Sequence, residues 1–334
     1  MKGNKQGHKK SAMIFLALVL LYGCAAKQPE GKYSMSLNLQ TWVGHGPIYL
    51  AKEKGFFDEQ NLIVDIVRDE IAENRNFAFK HNLLDAEGSS IDLLIHKRDN
   101  EIPVVAVLEI DESLGADGIV AVDSVKDIKG LKGKRIALER KNVGEAFLSY
   151  LMYKNGLSLN DVTIIPVGGS DEAATAFLEN KSDVAVTWEP WLTKVRTQNN
   201  SNLHVLATSK EEPGVIVDLL IVREDYLKNN PQAVKRFLRG WFKALDYIKE
   251  NPDESIGIMA KVYDMTPEVY KESLQGLKWS SYEDNLEYFD PDKGSLHDIY
   301  KQLSEIFLES GSISKTVEPK KAIDAGVLKN LNNE

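Results

Sequence analysis

Residues 183–191 read Asp-Val-Ala-Val-Thr-Trp-Glu-Pro-Trp. Val184, Ala185 and Val186 form a short apolar run of the kind that fits a buried strand. The run turns polar at Thr187 and continues into Trp188, Glu189 and Pro190. Pro190 disfavours helix at Glu189 and suits the first position of a new helix. The order is therefore strand, tight bend, helix. In open α/β sheets small molecules bind at the carboxyl ends of strands, and here that end would carry an indole and a carboxylate. A surface loop with a packed Trp is the alternative, so the flanking chain has to decide.

Working outward, the same alternation recurs. Upstream, Val162–Val167 reads as strand, and Gly168-Gly169-Ser170 leads into a helix over Asp171–Glu179. Arg135–Leu138 is another strand. Asn142 with Glu145 three places on marks a helix start, and the helix stops at Gly156. Further back, Tyr33–Gln40, Leu62–Val67, Leu83–Ala86, Pro103–Ile110 and Gly118–Val122 read as strands. A helix is expected over Ala72–His81, and the spacing of Ser89 and Asp92 matches a capping box for one over Ile91–Lys97. Downstream, Leu203–Thr208 and Val215–Val222 are strands. After Asn230-Pro231 the chain turns helical, with Val234, Phe237, Leu238, Trp241, Leu245 and Ile248 at helical spacing for core contact. Leu296–Leu308 is the last strong helix. Strands alternating with helices predict mainly parallel sheet covered on both faces. The pattern restarts near Gly118 and yields to helices after Val222. Two α/β lobes joined by crossings near 111–118 and 215–222 account for that; one continuous sheet is the alternative. The expected boundaries are 33–112 with 223–334 for lobe 1, and 113–222 for lobe 2.

The chain has 334 residues, 43% of them apolar and 27% charged, which is a globular composition. Residues 1–23 read as a signal peptide: a basic start (Lys2, Lys5, Lys9, Lys10), then the apolar stretch Ala12–Leu21, too short to span a bilayer comfortably. Leu21-Tyr22-Gly23-Cys24 resembles the bacterial lipobox, so Cys24 is the expected lipid anchor and 24–32 a tether; an ordinary signal peptide is the alternative. Cys24 is the single cysteine, so the mature chain has no internal disulfide and no Cys-based metal site. Without the leader's four lysines, 37 basic residues face 50 acidic ones, net −13. That excludes nucleic acid and anionic lipid as expected partners of the folded part.

Enzyme signatures are missing: no GxGxxG opening a helix, no GxxxxGK[ST], no HExxH, no GxSxG. None of the six histidines stands at metal-ligand spacing from another, so no metal and no cofactor are expected. What recurs is polar strand-to-helix junctions: Trp42–His45, Ser89–Ser90, Asn142–Glu145, Ser170–Glu172 and Trp188–Glu189. Contributed by two facing lobes, they describe a cleft. Free amides at helix starts can hold an anion or a carbonyl oxygen, and Trp42 and Trp188 offer faces for stacking or for a cation. Asp111, Asp117, Glu145, Glu189 and Asp218 supply carboxylates.

Taken together, the exported lipoprotein start, Trp42-Val-Gly-His-Gly-Pro-Ile-Tyr-Leu-Ala-Lys-Glu-Lys-Gly-Phe-Phe57, Asp117-Gly-Ile-Val-Ala121, Leu131-Lys-Gly-Lys-Arg-Ile-Ala137 and residues 183–191 resemble a known family. It is the nitrate/taurine/alkanesulfonate/thiamine-precursor group of ABC-transporter substrate-binding proteins, and the likeness covers essentially residues 33–310. The resemblance implies an α/β, two-lobed type II periplasmic-binding-protein fold with a hinge and an interlobe cleft, closing on a ligand that a membrane permease and its ATPase then receive. By the same analogy Trp42, Gly44, His45, Ser89 and Ser90 line one wall, and Asn142, Glu145, Trp188 and Glu189 the other. Asp111 and Asp218 complete the expected set. One departure is Glu-Gly-Ser-Ser-Ile-Asp after the third strand, where sulfonate binders carry a plainer Gly-Ser/Thr-rich pattern.

The expected walls are acidic and aromatic, where a sulfonate or nitrate would favour Arg or Lys. They suit an amine or a heteroaromatic with N–H donors, such as a thiamine-related pyrimidine. A sulfonate, taurine or nitrate binder, with Arg140 or Lys141 swinging in, is the alternative. The expected protein is a monomeric solute-binding lipoprotein, held in the periplasm or on the outer face of the cell membrane and not an enzyme. A module feeding a signalling partner and an enzyme on the same fold are the competing classes.

Overall fold

The structure, a computed structural model, describes residues 31–198 and 202–332. The expected signal peptide, the anchor Cys24 and the tether up to residue 30 lie outside the described residues.

Eleven strands form two sheets. They are β1 (Tyr33–Leu39), β2 (Leu62–Val67), β3 (Ala86–Ser90), β4 (Val104–Ser113), β5 (Asp117–Val122), β6 (Arg135–Glu139), β7 (Thr163–Val167), β8 (Val184–Trp188), β9 (Leu203–Thr208), β10 (Val217–Arg223) and β11 (Leu277–Trp279). The first sheet has the order β11-β4-β10-β3-β1-β2, the second β7-β6-β8-β5-β9. The chain passes between them twice, through residues 114–116 and 209–216. At these crossings Ser113 Oγ lies 2.7 Å from Ser209 Oγ, and Ser209 Oγ also accepts from Gly115 N at 2.8 Å. Gly276 packs against the first crossing at φ +90°, where a Cβ would meet Ala116 N and Gly115 C at 2.9 Å.

Both sheets are mixed rather than mainly parallel. β1 pairs parallel with β2 and β3, and β6 with β7 and β8. The strands entered from a crossing run the other way: β10 is antiparallel to β3 and β4, and β5 to β8 and β9. A strand fed by a short link from the other sheet needs no helical return to its start, so it can enter reversed. Residues 217–222, expected in lobe 2, lie inside the first sheet, because β10 is hydrogen-bonded between β3 and β4.

The second sheet shows why its strands form where they do. Ile119, Ala121, Ile136, Leu138, Val184 and Val186 join one core, while Val120, Ala137 and Ala185 join another on the opposite face. That is period-two alternation with both faces covered. The small side of β6 and β8 admits the helix Ser170–Leu178 closely, through Ala173, Ala174 and Phe177. The first sheet's core takes in the long helix Pro231–Glu250, whose Phe237 stacks on Phe57 at 5.0 Å between ring centroids. Among the described residues no helix is long and apolar enough to cross a membrane.

Candidate functional site

A cavity of about 360 Å³ is lined from both sheets. Strand direction explains which residues reach it. β1, β3, β6 and β8 present their C-terminal ends, and the reversed strands β5 and β10 present their N-terminal ends at the same edges. The register shows this directly: Asp117 stands opposite Trp188, and Asp218 opposite Ser90. The first sheet contributes Gln40, Thr41, Trp42 and His45 after β1, Glu70 after β2, Ser90 and Leu93 at the start of the helix Ile91–Asp99, and Ile216 and Asp218 at β10. The second contributes Asp117, then Glu139, Asn142 and Val143 after β6, Gly168 through Asp171 after β7, and Trp188 and Trp191 around the opening bend.

Of the residues expected from sequence, Trp42, His45, Ser90, Asn142, Trp188 and Asp218 line this cavity. Asn142 also caps its helix, its Oδ1 accepting from Gly144 N at 3.0 Å. The other five do not line it, each for a physical reason. Glu189 turns into the helix that follows it, accepting from Thr193 N and Oγ1 at 2.9 Å and pairing with Arg196. Glu145 accepts from Lys141 N and pairs with Arg140 at 2.6 Å, which also occupies the arginine that was to swing in for an anion. Ser89 lies within β3 opposite Leu219, so the helix cap falls to Ser90, whose side chain makes no capping bond. Asp111 sits behind the wall, where both its oxygens accept from Trp42 Nε1 at 3.1 Å and fix that ring. Gly44 is required by packing: a Cβ there would meet Asp111 Oδ2 at 2.1 Å. The carbonyls of Trp42, Val43 and Gly44 accept from Tyr263, Tyr270 and Trp279 respectively, which clamps the loop.

Burial dominates the electrostatics. It pushes Asp117 up to about 7, with Glu189 and Asp92 adding repulsion, and Asp218 up to about 8, with Asp117 and Asp92 adding to it. Glu139 is raised by burial to about 7, despite a hydrogen bond from Asn142 Nδ2 at 2.7 Å. Asp111, directly opposite Asp218 in the ladder, is raised by burial and then by Asp218. Burial lowers His45 to about 4, so the ring is neutral. Its Nδ1 lies 3.2 Å from the Gln40 carbonyl and must be the donor there. Nε2 is then a lone pair without a partner, 4.0 Å from Asp218 Oδ2. One oxygen of Asp117, a residue only 4% exposed, is likewise unpartnered. Above the raised pKa values of Asp117, Asp218 and Glu139 the site offers acceptors and wants donors; below them these carboxyls are themselves donors.

Glu70, Asp117, Glu139, Asp171 and Asp218 give the lining five carboxyl groups; Trp42, Trp188 and Trp191 give it three indoles; none of the lining residues is Lys or Arg. Glu70 and Glu139 were not singled out from sequence; Asp171 and Trp191 lie within stretches that were, Ser170–Glu172 and 183–191, but were not named as site residues. Glu139 follows the strand Arg135–Leu138 directly, and that position was the available signal. Among the described residues no group of three or more His, Cys, Asp or Glu is placed to hold a metal ion.

Two mixed sheets, two crossings and a cleft at the facing strand ends define a two-lobed periplasmic-binding-protein fold. The chain belongs to the family described as NMT1/THI5 like, which matches residues 42–255. It is 27% identical over 284 residues to the putative aliphatic sulfonates-binding protein of Bacillus subtilis, covering 80% of this chain and 82% of that one. It is 24% identical over 287 residues to the 4-amino-5-hydroxymethyl-2-methylpyrimidine phosphate synthase THI11 of Saccharomyces cerevisiae, covering 82% and 81%. In structure it is similar to the periplasmic aliphatic sulphonate binding protein SsuA of Escherichia coli, with a TM-score of 0.73 at 16% identity, over 90% of this chain and 99% of that one.

Proposed function

We propose that this chain is an extracytoplasmic solute-binding protein of an ABC importer, lipid-anchored through Cys24. Its cleft takes a small organic cation or an N–H-rich heteroaromatic and hands it to a permease. Family membership and the fold support the importer role. The ligand class rests on one observation: five carboxyl groups and three indoles line the cleft with no lysine or arginine among them. A cation gains charge-assisted hydrogen bonds to the carboxylates and an attractive ring face from each indole.

An anion is the second reading. The relative's name favours it, as do the helices Ile91–Asp99 and Ser170–Leu178, which begin at the cavity without side-chain caps. Isothermal titration of alkylamines and aminopyrimidines against taurine, alkanesulfonates and nitrate separates the two. Binding by amines or aminopyrimidines is the expected result; binding by sulfonate or nitrate alone overturns the ligand class.

A further inference from the structure

The carboxyl groups of the cleft are not spread evenly along it. Asp218 is the second residue of β10 and Asp117 the first of β5, beside the two crossings. Glu70 follows β2 and Asp171 follows β7. In the first sheet the path from β10 to β2 runs over β3 and β1; in the second, from β5 to β7, over β8 and β6. Each path is three strand spacings, about 14 Å. The middle strands supply the aromatic part, Trp42 after β1 and Trp188 at the end of β8, with Glu139 at the end of β6. The inner end is buried and holds the unpartnered Asp117 oxygen and the unpartnered His45 Nε2. The outer end is wetter: Glu70 and Asp171 are exposed.

From this arrangement we infer that the solute carries two positively charged nitrogens joined by an apolar spacer, as in a linear diamine or short polyamine. The inference rests on reading the cleft as a cation site and says how that cation is built. One nitrogen sits between Asp117 and Asp218 and donates to His45 Nε2. The spacer lies between the Trp42 and Trp188 rings, and the second nitrogen reaches Glu70 and Asp171. Along the second sheet, from Asp117 to Asp171, allowing one charge-assisted hydrogen bond of about 2.8 Å at each end of the path of about 14 Å leaves about 8 Å between the nitrogens. In the first sheet Glu70 leans back toward β1, its Oε1 accepting from Thr41 N at 2.9 Å and from Thr41 Oγ1 at 2.7 Å. A single ammonium would leave one end of the cleft with uncompensated negative charge. A diamine satisfies both ends and drives little water from the exposed one.

The test is titration of the full chain above neutral pH with hexylamine, hexamethylenediamine, spermidine and taurine. The diamine is expected to bind about two- to fivefold more tightly than hexylamine, the gain of an ion pair at a solvent-exposed rim. In the double variant Glu70→Gln, Asp171→Asn that preference is expected to vanish. Both positions are exposed, and the melting temperature reports whether the variant has folded. Equal affinity for hexylamine and hexamethylenediamine overturns the two-ended solute and leaves the cation reading standing. A preference that survives the double variant also overturns it. Binding of taurine with no amine bound overturns the cation reading and this inference with it.

Discussion

Raising the pH from about 6 to about 9 should tighten amine binding by about a hundredfold, following the ionisation of Asp218. Burial, with Asp117 and Asp92 nearby, pushes this carboxyl up to about 8. At pH 6 about one Asp218 side chain in a hundred is then ionised, and at pH 9 about nine in ten. A cation binds the ionised form, so its apparent affinity scales with that fraction. Alkylamines, titrating near 10.4, stay protonated across the range. Asp117, pushed up to about 7, steepens the lower part of the curve. The neighbouring groups limit the effect without reversing it: Asp111 opposite Asp218 shares the raised range, and His45, lowered to about 4, stays neutral throughout. Titration calorimetry in two buffers of different protonation enthalpy should show about one proton released per amine at neutral pH. Stability runs the other way in the empty protein. A carboxyl whose folded pKa is raised binds more protons folded than unfolded, so its contribution falls as pH rises from the ordinary carboxylate range through the folded value. The melting temperature without ligand should therefore decline between about pH 4 and pH 8 while the shift induced by amine grows. Asp218→Asn should flatten the affinity curve. An affinity that is level from pH 6 to 9, or stronger toward acid, refutes the reasoning.

Trp188→Ala should weaken amine binding about tenfold through loss of a ring face, with a melting temperature close to the parent protein because Trp188 is only half-buried; an unchanged affinity by calorimetry removes the ring from the site. Glu189→Gln should do the converse, lowering the melting temperature through its bonds to Thr193 and Arg196 while affinity stays within about twofold. Cys24→Ser should release the protein from the membrane fraction on cell fractionation, and continued membrane association would mean that this cysteine is not the anchor.

The strand-to-helix junctions were legible because turn chemistry is local. Asn142 caps its helix as its spacing to Glu145 implies, and Pro190 stands at the boundary between β8 and the helix Trp191–Arg196. Strand direction was not legible. Hydrophobic alternation reads the same in either direction, so β5 and β10 passed for members of a parallel sheet, and with them went the reason that Asp117 and Asp218 share an edge with Trp188 and Ser90. Side-chain direction within a junction was half legible. Trp188 and Glu189 are adjacent, yet one lines the cavity and the other is spent on Thr193, a choice made by the helix's free amides rather than by residue type. Ser89 and Ser90 divide in the same way, by the alternation of a strand expected over Leu83–Ala86 and found over Ala86–Ser90.

The raised carboxyls bear on the ligand's charge in both directions, and that is what makes the pH slope decisive. When protonated, Asp117, Asp218 and Glu139 become hydrogen-bond donors, which a sulfonate oxygen can use. When ionised they repel it: at an effective dielectric of about 20, like unit charges 5 Å apart cost about 3 kcal/mol. Two such contacts exceed the roughly 2 kcal/mol that a well-placed helix terminus returns. An anion would thus need the floor of the cleft protonated and would bind best in acid. The fold itself is indifferent to that choice, since its strand-end cleft serves either charge. The bias comes from the lining. His45 Nε2 and Asp117 Oδ2 have no hydrogen-bond partner, and the outer lining groups Asp171 and Glu70, the latter also accepting from Thr41, are exposed to water. A solute that brings its own protonated nitrogens answers both ends without asking any carboxyl to hold a proton.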